Sequence, residues 1–364
     1  MIREIVLQGN SYQRGFQHGQ LLGSEIREFL TDNHARINHI RTIPLTGEQI
    51  DEVIDLYAPE IEKALPSIAE ELQGLAAGAR ISYREALLLQ LRMELINLDT
   101  DGQQDGDCST IAIHHPPNII TAQTIDLPGN LTELGYVFRI LPDSPHQPEI
   151  LMYSFAGLLG YLGINSMGLS VNINMVLSGN WKPGIPPYLL VRHMLEQRSV
   201  EQCIKRLHHL KAGSSRSFIL ADEHQLVNAE LAGNRLSFIA GDQLLHTNHF
   251  LHETFLDEDI MHFLFRNSSV KRLELLKQLL PADHENISAE KLFHILSDHS
   301  IYPVGICAHD EGNIRRSATV AAVVMQPSAG RMHVRKGYPC QSATQHFSVR
   351  TGQHMQPAAM HQTL

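Results

Sequence analysis

Between Asp99 and Asp107 the chain reads Asp-Thr-Asp-Gly-Gln-Gln-Asp-Gly-Asp, a stretch with no apolar residue and with Gly and Asp placed to favour turns. The hydrophobic period changes across it, and that change constrains the fold more than any other feature. Before it, Ile50, Val53, Ile54, Tyr57, Ile61 and Leu65 recur at three- and four-residue steps, the signature of an amphipathic helix. Further helices are predicted over 67–79, after Pro66, and over 83–96, after Ser82, with a short opening strand from Arg3 to Gln8. After it, the pattern turns strand-like at Ser109 to His114, Ile119 to Ile125, Tyr136 to Leu141, Ile150 to Phe155 and Leu169 to Met175. Helices follow over 187–211, where Val200, Cys203, Ile204, Leu207 and Leu210 form a stripe. Strands are then predicted at Ser217 to Leu220, Leu226 to Leu231 and Leu236 to Ile239, and helices over 253–297. Strands Ala318 to Met325 and Met332 to Gly337 precede a polar tail. The sum is an α+β protein with helices layered on sheets.

Charge divides at the same place. Residues 1–107 hold nine Lys or Arg against eighteen Asp or Glu, so this segment carries −9 of the net −10, and 108–364 is nearly neutral. No basic block occurs, which removes the electrostatic footprint of a nucleic-acid or anionic-membrane binder. No apolar run reaches the ~18 residues of a membrane span. Met1 to Asn10 lacks the basic and apolar regions of a signal peptide, so a cytoplasmic protein is expected. The four cysteines, at 108, 203, 307 and 340, are too few and scattered for a disulfide scaffold or a Cys-x-x-Cys metal site. Cys203 lies on the helical stripe, and Cys307 and Cys340 lack a ligand-spaced partner. His246, His249 and His252 recur at three-residue spacing around a predicted turn. No metal is predicted.

Cys108 stands where the polar stretch ends and the strands begin. Its default role is that of a buried strand residue. Cleavage of the bond before it would instead make Cys108 a new N-terminus, whose α-amine, with a reference pKa of roughly 7.7–8, can take the thiol proton without a histidine.

From here the sequence resembles the acyl-CoA:isopenicillin N acyltransferase family of self-processing N-terminal nucleophile (Ntn) hydrolases. The resemblance spans approximately residues 4–337. It rests on Gly9, Tyr12, Gly15 and Gly19; on Glu71 to Gly78 followed by Leu87 to Glu94; and on Cys108-Ser109-Thr110 with Gln123-Thr124-Ile125-Asp126. Later parts are Ser214-Ser215-Arg216-Ser217, His246-Thr247-Asn248-His249, Ile306-Cys307-Ala308-His309 and Ser317-Ala318-Thr319-Val320. The family usually places Gly before the nucleophile, whereas this chain has Asp107 there and Gly106 one step earlier.

The resemblance implies an αββα sandwich of two stacked antiparallel sheets covered by helices. Residues 1–107 and 108–364 would form one domain in two chains, an α/β heterodimer cut from one precursor between Asp107 and Cys108. It implies Cys108 as nucleophile, Asp126 near the new amine, Asn248 as oxyanion donor, and a late arginine near the thiol, taken as Arg316, with Arg315 the neighbouring alternative. Thr110 points to the same side as Cys108 in an alternating strand, and Arg92, Glu94 and Ser215 are expected behind the site. The expected activity is hydrolysis of an amide in a small N-acylated amine or amino acid, without a cofactor. The alternatives are an N-acyltransferase with acyl-CoA as co-substrate, a papain-like thiol hydrolase using His249 or His309, and a non-catalytic, uncleaved binding protein.

Overall fold

A computed structural model describes residues 1–98, 108–115, 118–179, 181–281 and 287–349. The stretch 99–107, and with it Asp107, lies outside the described residues. Before it stand β1 (Glu4–Leu7), α1 (Ser11–Leu21), α2 (Gly23–Thr31), α3 (Ile37–Ile40), α4 (Gly47–Ala64), α5 (Pro66–Ala79), α6 (Tyr83–Gln90) and α7 (Arg92–Ile96). After it come β2 (Thr110–His115), β3 (Asn118–Leu127), β4 (Gly135–Ile140), β5 (Ile150–Phe155), β6 (Leu162–Asn165), β7 (Ser170–Met175), α8 (Pro187–Met194) and α9 (Val200–His209). The rest are β8 (Arg216–Asp222), β9 (Gln225–Ala232), β10 (Arg235–Ala240), β11 (Gln243–His246), α10 (Phe263–Leu279), α11 (Ala289–Leu296), β12 (Ala318–Gln326), β13 (Arg331–Lys336) and β14 (Gln345–Ser348).

The helix starts follow local chemistry. Asn10 with Gln13, Thr46 with Gln49 and Ser82 with Glu85 close reciprocal capping boxes at α1, α4 and α6, satisfying backbone donors that a helix leaves open. The helix expected over 83–96 is broken at Leu91. The break buries Gln90 and Arg92 together: Gln90 Nε2 donates to Gly157 O at 2.8 Å, and Arg92 Nε donates to Ala35 O at 2.8 Å. Between α1 and α5, glycines let the backbones touch. A Cβ on Gly15 would stand 1.8 Å from Glu71 O, and one on Gly74 would stand 2.1 Å from Tyr12 O.

Two sheets stack face to face. One has the order β1-β4-β5-β6-β7-β8-β9-β10, the other β11-β2-β3-β12-β13-β14. Among the described residues, neighbouring strands of both sheets pair antiparallel except β1, which joins β4 in parallel and ties the acidic segment to the first sheet's edge. β14 lies within the expected polar tail, where Gln345 and Phe347 find partners on β13.

Residue alternation sorts the faces of β2. Ile111 and Ile113 pack with Leu276, Leu292 and Phe293 under α10 and α11, while Ala112 meets Ile219 and Ala221 between the sheets. Helices α8 and α9 cover the other sheet. The result is the αββα sandwich that the resemblance implies. One apolar core, from Ile5 and Leu72 to Val137, Phe218 and Val323, runs through both segments. No helix among the described residues is long and apolar enough to cross a membrane.

Candidate active site

Strands β2 and β3 form a hairpin with Thr110 opposite Gln123, and this register carries Cys108 to the end of β3. There the Asp126 N–H donates to Cys108 Sγ at 3.3 Å, and the thiol reaches Asp126 O at 3.6 Å. The eighteen-residue spacing of Cys108 and Asp126 is therefore the reach of one hairpin. The Asp126 carboxylate is held from two sides: Thr124 Oγ1 donates to Oδ2 at 2.6 Å, and Thr319 Oγ1 on β12 donates to Oδ1. Thr124 Oγ1 also accepts from Ser109 N at 3.0 Å. Tyr161 lies on the same small cavity as the sulfur, and burial, reinforced by the Asp126 charge, pushes the thiol up to about 12. A cavity of about 20 Å³, space for roughly one water, touches Cys108, Asp126, Tyr161, Tyr188, Met175 and Arg216.

Thr110 faces the opposite sheet, as alternation requires. Its Oγ1 donates to Asn174 Oδ1 at 2.7 Å, and Asn174 Nδ2 donates to Cys108 O at 3.2 Å.

The arginine beside the nucleophile is Arg272, on α10. Its Nη1 donates to Cys108 O and to Ser109 Oγ, both at 3.0 Å, and its Nη2 donates to Asn248 Oδ1 at 2.9 Å. Arg316, the residue expected there, is 46 % exposed and pairs with Glu311 at 3.1 Å, while Arg315 Nε donates to His39 O at 3.2 Å. The reason is positional: both sit in the turn before β12, outside the sandwich. Arg272 carries a signal in the sequence, because Ser269, Arg272 and Leu276 recur at helical spacing on the buried face of α10, an unusual stripe for a guanidinium. Tyr161 and Asn174 lie outside every motif of the resemblance, whereas Arg216 and Thr319 fall within two of them without an expected role of their own.

Asn248, just past β11, is oriented by Arg272. A guanidinium only donates, so the amide oxygen must face it and the NH2 group must face the cavity wall, where it donates to Met175 O at 3.0 Å. Its backbone N–H is fixed by Ser269 Oγ at 2.7 Å.

Behind these residues, Glu94 and Arg92 do not pair with each other. Glu94 Oε1 accepts from Ser214 Oγ at 2.7 Å and pairs with Arg216 at 3.3 Å, while Arg92 Nη2 donates to Pro128 O at 3.1 Å, just beyond β3. Ser215 Oγ lies 2.5 Å from Ser178 Oγ and accepts from Trp181 Nε1 at 3.0 Å. Neither histidine of the papain-like alternative bonds the thiol. His249 Nδ1 is engaged by Ser269 Oγ at 2.7 Å, and His309 faces Cys307 and Cys340. Those two cysteines, without partners in the linear spacing, are brought within 3.8 Å of each other because β12 and β13 form a hairpin whose entering and leaving segments meet.

A larger cavity of about 700 Å³ opens between α10 and the 299–309 segment, lined by Leu264, Phe265, Ser268, Tyr302 and Val304. Its size suits a small organic ligand. Ser268 on its wall also accepts from Arg272 Nε at 3.5 Å, so the two cavities share the arginine as a neighbour.

Residues 120–341 match the family model described as acyl-coenzyme A:6-aminopenicillanic acid acyltransferase. The chain is 26% identical over 342 residues to the 40 kDa form of acyl-coenzyme A:6-aminopenicillanic-acid-acyltransferase of Emericella nidulans, with 92% of each chain covered. It is 24% identical over 327 residues to the β-alanyl-dopamine/carcinine hydrolase of Drosophila melanogaster, covering 81% of this chain and 82% of that one. Among solved structures, the Caenorhabditis elegans ortholog of N-acylethanolamine-hydrolyzing acid amidase aligns with a TM-score of 0.44 and 17% identity, covering 66% of this chain and 99% of that chain.

Proposed function

Because the chain belongs to the acyl-coenzyme A:6-aminopenicillanic acid acyltransferase family of Ntn enzymes acting on amide bonds, we propose that it is a self-cleaving amidohydrolase with Cys108 as nucleophile. The observation that carries this reading is the setting of the sulfur. It is buried among hydrogen-bond donors beside a carboxylate, and neither candidate histidine is bonded to it. A thiol pushed up to about 12 stays protonated at neutral pH, so it needs a base delivered to it.

In the first step the sulfur attacks the Asp107 carbonyl carbon, and the amide nitrogen leaves as the Cys108 α-amine with the thiol proton. Water then hydrolyses the thioester, giving an Asp107 carboxylate and a free thiol. In turnover the α-amine takes the thiol proton, and the thiolate adds to a substrate amide. The tetrahedral oxyanion is met by the Asn248 NH2, and the ammonium returns its proton to the departing amine. Water resolves the acyl-enzyme. Asp126, fixed by its two threonines, favours the ammonium form of the terminus. One relative is named as an acyltransferase from acyl-coenzyme A to 6-aminopenicillanic acid and another as a hydrolase of β-alanyl-dopamine and carcinine, and a small N-acylated amine is the substrate class we assign.

Intact mass and N-terminal sequencing test this reading. The wild-type chain should run as pieces of about 12 and 29 kDa, the larger beginning at Cys108. Cys108→Ala should remain one chain, and two pieces from that variant would overturn the assignment. Uncut wild-type protein with activity would transfer the reading to the papain-like mechanism, and uncut protein with an unreactive Cys108 would point to a binding protein.

A further inference from the structure

His299, Cys307, His309 and Cys340 each place one ligand atom within 4.8 Å of the others. Cys307 Sγ stands 3.8 Å from Cys340 Sγ and 3.5 Å from His309 Nε2, and Cys340 Sγ stands 3.6 Å from the same nitrogen. A tetrahedral zinc ion, with Zn–S of about 2.3 Å and Zn–N of about 2.0–2.1 Å, requires sulfurs about 3.8 Å apart and sulfur–nitrogen pairs about 3.6 Å apart. The three separations match that tetrahedron, and they leave the sulfurs far outside the roughly 2.05 Å of a disulfide. The ring of His309 is set by stacking on Tyr338 at 3.9 Å, whose hydroxyl donates to Asp310 Oδ1 at 3.2 Å. His299 meets His309 edge-on, with ring centroids 4.9 Å apart.

We propose that these four side chains form a structural Cys2His2 zinc site that clamps the turn after β13 to the segment entering β12. Four protein ligands close the coordination sphere, so the ion holds structure rather than activating water. Binding sends one proton from each thiol to solvent and leaves a neutral centre. The clamp reaches the nucleophile through one residue. Ala308, between two of the ligands, donates its N–H to Thr319 Oγ1 at 2.8 Å and accepts from Thr319 N at 2.9 Å. That same hydroxyl holds Asp126 beside Cys108. Zinc thus positions Thr319, and Thr319 positions Asp126.

The test uses untagged full-length protein, since added histidines would bind metal themselves. Elemental analysis should find about one zinc per chain. Cobalt substitution should give the intense visible bands of tetrahedral cobalt with a thiolate charge-transfer band in the near ultraviolet. Cys340→Ser, at an exposed position that tolerates the change, should lose more than nine-tenths of the metal, as should His309→Ala. His333→Ala, in a histidine pair elsewhere, should keep it. Chelator-stripped protein should refill to one ion per chain and regain its thermal midpoint. A metal-free wild-type protein that takes up no cobalt, a native mass two daltons low from a Cys307–Cys340 disulfide, or full metal retention in both ligand variants would each overturn the site.

Discussion

Asn248→Asp isolates a single donor. In the wild type, Arg272 Nη2 holds Oδ1 at 2.9 Å, and one NH2 hydrogen is used on Met175 O at 3.0 Å, which leaves the second for the oxyanion. Aspartate keeps the shape and strengthens the contact with Arg272, but it puts an oxygen where the NH2 stood. Folding loses one neutral hydrogen bond, about 1 kcal/mol, and sets an oxygen against the Met175 carbonyl. The contact with Arg272 is already a hydrogen bond to a charged group, so turning it into an ion pair offsets only part of this. The net change is about 1–2 kcal/mol, which a domain of this size survives. The reaction loses its donor outright, about 2.7–4 kcal/mol or 10²–10³-fold. Two assays read this: the rate at which the 257-residue piece appears by intact mass, and turnover of p-nitrophenyl acetate by the cut protein. Both should fall about 10²–10³-fold with circular dichroism unchanged. A folded Asp variant that processes within threefold of wild type would refute the assignment of Asn248 as the donor.

Two further outcomes follow from the same geometry. Arg272→Met removes the fixed cation and frees the Asn248 amide to rotate, so self-cleavage on a gel time course should slow about 10²-fold. Arg316→Met, which loses an exposed pair with Glu311 and part of the wall of the larger cavity but no contact with Cys108, should change self-cleavage by less than about twofold; equal slowing in both would remove the role given to Arg272. In uncut protein the Cys108 thiol, pushed up to about 12, is about 10⁻⁴ thiolate at pH 8, against about a quarter for an ordinary thiol. Its greater nucleophilicity recovers only part of that deficit. Iodoacetamide should therefore label uncut Cys108 at least about tenfold more slowly than free cysteine, with the rate climbing as pH rises towards 12, and cleavage should accelerate it; no change on cleavage would argue against the α-amine as base.

The strands and helices read most accurately from sequence were those with a clear period. The Ile50 to Leu65 stripe became α4, and the runs before Phe155 and Met175 became β5 and β7. Misreadings fell where local pattern competes with long-range bonding. A continuous helix over 83–96 satisfies propensity, yet burying Gln90 and Arg92 against Gly157 and Ala35 breaks it. β6 is four residues long and β14 lies in a polar context, so neither carries a periodic signal, and only pairing with a neighbouring strand creates them.

The sequence by itself determined the polar stretch that ends at Cys108 and the change from helical to strand period across it, because a period is local. Asp126 was placed beside Cys108 by the family resemblance, and the hairpin register brings the two together. Only the tertiary structure decided which arginine serves the site and which thiols meet. Arg272 reaches Cys108 across 164 residues, because α10 lies over the sheet that carries the nucleophile. Cys307 and Cys340 meet across 33, because the β12–β13 hairpin folds their segments together. Contacts of that range are set by how elements pack in three dimensions, and spacing along the chain carries no record of them.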